Sequence, residues 1–330
     1  MEARIDRPAT RTFLPRFSLT SGAQGPLIGL ILLCVIFSFA SDHFLSVRNA
    51  LNVLDQVTVL GILAIGMTAV IVIGGIDLSV GSVLALSMMV MGWLARDMEL
   101  PMALAILLGI GAGALCGLAS GLLITMARLP AFIATLTMMS VARGLANILT
   151  DGTQIVGYPD WFTALATVRN FGFLSLTVAL FLVLVAASWL YLTFRPSGRN
   201  LYAIGGSREV ARLAGIHVGR VTIAVYAAAG ALAGIAGMAL ASRLDSSQPS
   251  AGLGYELDTI AAVVIGGASL SGGVGSIGGT VVGVLIIGVL RNGLNLLGVS
   301  SYVQQVAIGT VIVVAVLADM ALRRRARLAT

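Results

Sequence analysis

The sequence predicts an all-α integral membrane protein of about ten transmembrane helices, several of them broken by glycine, and three observations carry that reading. Hydrophobic residues make up 58% of the 330-residue chain, charged residues only 10%, and the mean hydropathy is +1.01. Soluble domains carry about 25% charged residues, so this composition belongs in a bilayer. Apolar runs of roughly 20 residues, the length that crosses hydrocarbon, recur from end to end. All 20 basic residues are arginine, and they gather at the ends of apolar runs, as the positive-inside rule expects. The net charge of +6 therefore speaks of orientation in lipid and not of nucleic acid.

Taken in order, residues 1–25 form a polar tail with Arg4, Arg7, Arg11 and Arg16, expected to be cytoplasmic and without packed structure. Pro26 to Ala40 is the first apolar segment. Ser38-Phe39-Ala40 mimics a signal-peptide cleavage site, but the spans that follow favour an uncleaved first crossing. Ser41 to Asn52 should lie outside. The run from Val53 to Leu94 is long enough for two crossings, yet its middle reads Gly74-Gly75-Ile76-Asp77-Leu78-Ser79-Val80-Gly81-Ser82. In hydrocarbon, a backbone opened by glycine must find partners within the protein or at water. A carboxylate at that depth costs about 2.5–3.5 kcal/mol on insertion scales. This break should face other helices or a wet cavity, with Asp77 or Ser79 capping the helix that starts near Val80.

Arg96 to Glu99 is a short outer turn. Pro101 to Met126 is a span whose Gly109, Gly111, Gly113, Gly117 and Gly121 suit close helix packing. After an inner turn at Arg128, the helix from Pro130 to about Thr150 carries the candidate path-lining residues Phe132, Thr135, Arg143 and Asn147. For Arg143, snorkelling or structural pairing is the alternative reading. Asp151 to Asn170 reads as a polar outer loop with Tyr158 and Trp161 at the interface. Phe171 to Phe194 is a span, and residues 195–220 form a polar segment with five arginines. Val221 to Ala241 is a span, and Ser242 to Glu256 an outer loop. Leu257 to Leu290 is apolar but broken at Gly266-Gly267 and Ser271-Gly272-Gly273, and is either a full crossing or re-entrant. Tyr302 to Leu322 is the last span, followed by a basic tail over 323–330. The three arginine clusters should share the cytoplasmic side, which requires an even number of crossings between each pair. About six and about four fit, with both termini inside and the membrane domain over 26–322.

Several chemistries are excluded. Without lysine the chain can supply neither a Walker A loop nor a Schiff base. Cys34 and Cys116 lie in apolar segments, and His43 and His217 have no second ligand at metal spacing, so neither metal nor cofactor is expected. No HExxH is present, nor a GxSxG with a plausible histidine partner, so an embedded enzyme is not expected.

The glycine-rich break resembles a later stretch, either as an internal repeat or as a chance likeness between two Gly/Ser-rich runs. Val72 to Ser82 resembles Val264 to Ser276 with a two-residue insertion, and Ser269 and Ser271 take the places of Asp77 and Ser79. Glycine-interrupted segments in corresponding halves point to a transporter's central path. Gly74, Gly75, Asp77, Ser79, Gly81, Ser82, Gly266, Gly267, Ser269 and Ser271 are therefore its candidate residues. In the basic segment, Arg195-Pro196-Ser197-Gly198-Arg199 ends a helix and begins a loop. Ser207-Arg208-Glu209-Val210-Ala211-Arg212-Leu213-Ala214-Gly215 then reads as a short helix, with Ser207 as its cap, Glu209 in its first turn and Gly215 as its stop. Such a helix suits a partner's groove, although a solvated orienting loop is equally compatible with its charge.

The break motif resembles the signature of ribose-type ABC importer permeases. So do Leu129-Pro130-Ala131-Phe132-Ile133-Ala134-Thr135-Leu136, Arg143-Gly144, Gly198 to Gly206, and Ala211-Arg212-Leu213-Ala214-Gly215-Ile216. The likeness runs in order from about Phe44 to Asp319; Ser207 and Val210 depart from the usual asparagine and alanine. The resemblance implies a permease that works as a homo- or heterodimeric pair in the bacterial inner membrane. It also implies cytoplasmic ATP-binding subunits and a periplasmic sugar-binding protein as partners. Ser207, Arg208, Glu209, Ala211, Arg212 and Gly215 would then belong to the coupling helix in the ATPase groove. The alternatives are a permease for branched-chain amino acids or nucleosides, or an ion-coupled transporter using Asp77.

Overall fold

The computed structural model describes residues 24–169, 172–311 and 313–314. Most of the expected N-terminal tail, the C-terminal tail and the end of the last expected span lie outside the described residues. The described chain is helical apart from one antiparallel pair of two-residue strands. Its elements are α1 (Gln24–Ala40), α2 (Val47–Val72), α3 (Val80–Arg96), α4 (Met102–Thr125), α5 (Ala131–Ile148), β1 (Ile155–Val156), α6 (Asp160–Thr167) and α7 (Leu176–Phe194). They continue with α8 (Pro196–Gly206), α9 (Arg208–Leu213), α10 (Val218–Leu244), β2 (Ser246–Ser247), α11 (Tyr255–Ile265) and α12 (Ile277–Leu296). A further helical segment occupies 301–311. Six helices, α2, α4, α5, α7, α10 and α12, are long and apolar enough to cross a membrane; α1 and α3 are apolar but shorter.

The fold is organised around α2. Its residues from Val57 to Val72 are buried almost without exception, which is why the stretch is apolar on all faces. Ser46 caps it by accepting from the Asn49 N–H at 3.2 Å. Two polar pairs bolt it to α12: the Asn49 and Asn292 amides at 3.0 Å, and the Thr68 and Thr280 hydroxyls at 2.6 Å. Each group satisfies the other, so neither is left as an unpaired dipole in an apolar core.

The glycines of α4 do what their spacing predicts, with one exception. A Cβ on Gly113 would strike the Gly230 carbonyl of α10, one on Gly117 the Tyr226 carbonyl, and one on Gly121 would lie 2.8 Å from the Ile223 Cα. Gly109 faces α3, at 2.7 Å from the Ser87 carbonyl oxygen. Only glycine permits main chains this close, where dispersion contact replaces a missing hydrophobic drive. Gly111 points elsewhere, into open space.

Four expectations need correction. Pro196 does not open a loop: it takes the first turn of α8, where its fixed φ and missing N–H cost nothing. The stretch 242–256 is not a simple outer loop. Ser246 and Ser247 are buried, the Ser247 hydroxyl donates to the Met88 carbonyl at 2.8 Å, and Gly252 packs on Gly81 near the start of α3. The chain thus runs inward before α11 begins. α11 has 11 residues, about 16 Å, so it reaches only halfway across hydrocarbon. The loop 151–170 contains β1 and α6, with Phe162 fully buried. Tyr158 is no interface anchor: it is buried, and its hydroxyl meets that of Ser247 at 2.6 Å. Burial pushes its phenol up to about 12, outweighing the opposing effect of the Ser247 bond, so the group stays a neutral donor. Trp161 remains half exposed, as an interfacial residue should.

Candidate functional site

Both glycine breaks end their helices by the same local device. After α2, Gly74 adopts φ +75°; its N–H donates to the Ile71 carbonyl, and the Gly75 N–H to Val70, each at 2.9 Å. After α11, Gly267 adopts φ +94°; its N–H donates to Val264 at 2.9 Å and that of Ala268 to Val263 at 3.1 Å. This is the Schellman termination, which demands a left-handed residue and so selects glycine. The turns that follow also correspond. Asp77 accepts at one oxygen from the Ser79 N–H at 2.8 Å and the Ser79 hydroxyl at 2.6 Å. Ser269 accepts from the Ser271 N–H at 3.3 Å. The pairing of Asp77 with Ser269 and Ser79 with Ser271, read from the sequence, is thus reproduced as two equivalent turns, one held by a carboxylate and one by a hydroxyl.

Neither Asp77 nor Ser79 caps α3 through its side chain. Ser79 occupies the N-cap position but gives its hydroxyl to Asp77. The carboxylate bonds at Ser79, two residues short of Gly81 and three short of Ser82, the buried positions whose N–H groups a cap would meet. Its function in the fold is to close the turn. The Ile76 carbonyl beside it receives the Thr135 hydroxyl of α5 at 3.3 Å and the Tyr226 hydroxyl of α10 at 3.4 Å. Two helices, α5 and α10, therefore hold the first break, and no arginine pairs with Asp77 among the described residues.

The α5 candidates separate into two groups. Thr135 is buried and belongs to the break, while Phe132 and Asn147 are exposed, Asn147 donating to the Arg143 carbonyl at 2.8 Å. Arg143 does not snorkel. Its guanidinium donates to the Pro249 carbonyl and, at 2.9 Å, to that of Ala251, pinning the inward-running loop against α5. The exposed edge of α5 and this loop includes Thr137, Ser140, Ser250 and Leu253.

The basic segment forms the short helix expected of it. Ser207 accepts from the Val210 N–H at 3.3 Å, Glu209 pairs with Arg212 at 2.7 Å, and Gly215 ends the helix at φ +83°. Ala211 is buried against the body, whereas Val210 and Leu213 are 64% and 78% exposed. The six-residue helix is thus held on its Ala211 side, with two apolar side chains turned outward. Arg208 is exposed as well.

Sequence reasoning missed the element between the span and this helix. α8 places Gly205 against both breaks and Tyr202 against the second, its hydroxyl donating to the Gly275 carbonyl at 3.0 Å. A Gly-Gly pair at a helix end is a signal for termination, and nothing local distinguishes the glycine that packs from the one that does not.

With this geometry in view, the comparisons with known proteins are decisive. The model for the branched-chain amino acid transport system / permease component family matches residues 49–316. The chain belongs to this permease family. The permease is 49% identical to the ribose import permease protein of Bacillus subtilis over 298 residues, covering 89% of this chain and 92% of that one. It is 45% identical to the ribose import permease protein of Haemophilus influenzae over 90% of this chain and 92% of the relative. The fructose import permease protein of Rhizobium meliloti is 36% identical over 94% of this chain and 89% of its own. No solved structure matches the permease. The ribose-type resemblance carried by the motifs therefore holds along most of the chain.

Proposed function

We propose that the permease is the membrane-spanning subunit of an ATP-driven importer that passes a monosaccharide of the pentose or hexose class inward by alternating access. The observation that carries this reading is the 45–49% identity to ribose import permeases across about nine-tenths of the chain. The absence of lysine supports it, since nucleotide hydrolysis then falls to another chain. A cytoplasmic ATP-binding subunit would grip α9, an extracytoplasmic sugar-binding protein would deliver the solute, and a second permease subunit would complete the path along α5. A neutral sugar requires hydrogen-bond groups and little fixed charge, consistent with Thr137, Ser140 and Asn147 on the exposed edge of α5.

The topology that fits has ten crossings in a bacterial inner membrane with both termini cytoplasmic. α1, α2, α3, α4, α5, α7 and α10 would make the first seven, the inward loop plus α11 the eighth, α12 the ninth, and the segment from 301 the tenth. Both breaks would then lie toward the cytoplasmic end, beside α8 and α9.

Reconstitution in proteoliposomes tests the reading. Labelled ribose should accumulate only with ATP, the ATP-binding subunit and the sugar-binding protein together. Accumulation of leucine or a nucleoside in preference to any sugar moves the substrate class. Accumulation driven by an ion gradient alone, and lost in Asp77→Asn, replaces the mechanism with ion coupling.

A further inference from the structure

Gly205 and Gly206 are neighbours at the end of α8, but they are not equivalent. A Cβ on Gly205 would collide with the Val72 carbonyl oxygen and with the Gly273 nitrogen, whereas one on Gly206 would meet nothing within 4 Å. Gly205 thus sits where the last turn of α2 and the Gly272-Gly273 turn of the second break both reach the main chain of α8. The contact closes from the other side as well. A Cβ on Gly272 would lie 2.9 Å from the Gly205 oxygen and 3.0 Å from the Gly74 Cα, and the Gly273 N–H donates to the Val72 carbonyl at 2.9 Å. One turn earlier on α8, Tyr202 holds the Gly275 carbonyl. Ser207 is at once the residue that ends α8 and the N-cap of α9, so no linker intervenes between this contact and the exposed helix.

We propose that the clasp of Gly205 against Val72 and Gly273 is the mechanical link by which displacement of α9 reaches both glycine breaks together, with Gly205 as a positioning residue and Tyr202 as its tether. The inference rests on the reading that a partner ATPase moves α9. Main-chain contact at this distance contains no flexible side chain to absorb a shift, and close-packed interiors transmit displacement as discrete steps. A methyl group at 205 must push α8 away from both breaks; a methyl group at 206 displaces nothing.

The test uses the complete complex of permease, ATP-binding subunit and sugar-binding protein in proteoliposomes, reading ribose taken up per ATP hydrolysed. Gly205→Ala, checked for normal assembly by gel filtration, should still hydrolyse ATP while that ratio falls about tenfold or more, within the range usual for linked sites. Gly206→Ala should match the wild type, and Tyr202→Phe, which adds no volume, should show a smaller fall. On the wild-type complex, trapping the nucleotide with vanadate should change hydrogen exchange in 72–82 and in 266–276 together, a readout that needs no variant to fold. A wild-type complex that takes up ribose without hydrolysis overturns the functional reading and the clasp with it. A coupled wild type whose assembled Gly205→Ala variant is also fully coupled, or whose breaks are unmoved by nucleotide, overturns the clasp alone.

Discussion

At the first break Gly74 turns left-handed after α2; at the second Gly267 does the same after α11, and from there the two segments part. The first has Asp77, Ser79 and Gly75 buried and its Ile76 carbonyl held by α5 and α10. The second is longer, contains two further left-handed glycines at 272 and 273, and leaves Leu270, Ser271 and Val274 exposed. The difference teaches that helix termination and what a break does afterwards are separable. The same glycine device can precede a more fixed joint, buried and held at one carbonyl by two helices, or a more open one, partly exposed and held at the Gly275 carbonyl by Tyr202 of α8.

The largest effect should come from removing the acceptor at the fixed joint. Asp77→Leu leaves a buried N–H and a buried hydroxyl of Ser79 without their partner, which should cost about 2–6 kcal/mol at about 1–3 for each group. Ser269→Ala at the open joint should cost only about 0.5–1.5 kcal/mol. Chemical denaturation in detergent reads both values, and equal losses would erase the distinction between the joints. Next in size, Gly74→Ala and Gly267→Ala should each lose about 1–2 kcal/mol, because an L side chain is strained at positive φ in either place. Here the two breaks should behave alike, and a large difference between them would break the equivalence of their terminations. The smallest effect is Asp77→Asn, whose amide oxygen can still close the turn. Unfolding should shift by less than about 1.5 kcal/mol, the net worth of one hydrogen bond, with substantial uptake retained. Complete loss of uptake at normal expression would show that the charge itself is used.

How much of the fold and the site is legible in the sequence depends on whether the deciding contact is local. The helix from Arg208 to Leu213 is readable because its cap, its acidic first turn and its terminating glycine all lie within nine residues. The first break is readable for a similar reason: glycines and a carboxylate inside an apolar run are incompatible with a straight helix facing lipid. The partners of Arg143 are not readable, since the carbonyls of Pro249 and Ala251 lie 106 and 108 residues away and carry no side-chain signature. α8 misleads because proline, serine and glycine in succession suit a turn as well as a helix start, and only packing against α7 and α2 decides. The inward course of 242–256 is hidden in its polar composition. Serines that satisfy buried carbonyls look the same in sequence as serines that face water.

The central claim is that the force for transport enters through α9 from a partner ATPase. It is tested most directly by Glu209→Arg combined with Gly215→Trp, which reverses the charge of the first turn and places a bulky side chain where the backbone has φ +83°. Ribose uptake and ATP hydrolysis are then measured in the same proteoliposomes. The variant should insert normally while uptake falls to background and hydrolysis no longer drives it. Wild-type uptake by that variant would remove α9 as the point where force enters.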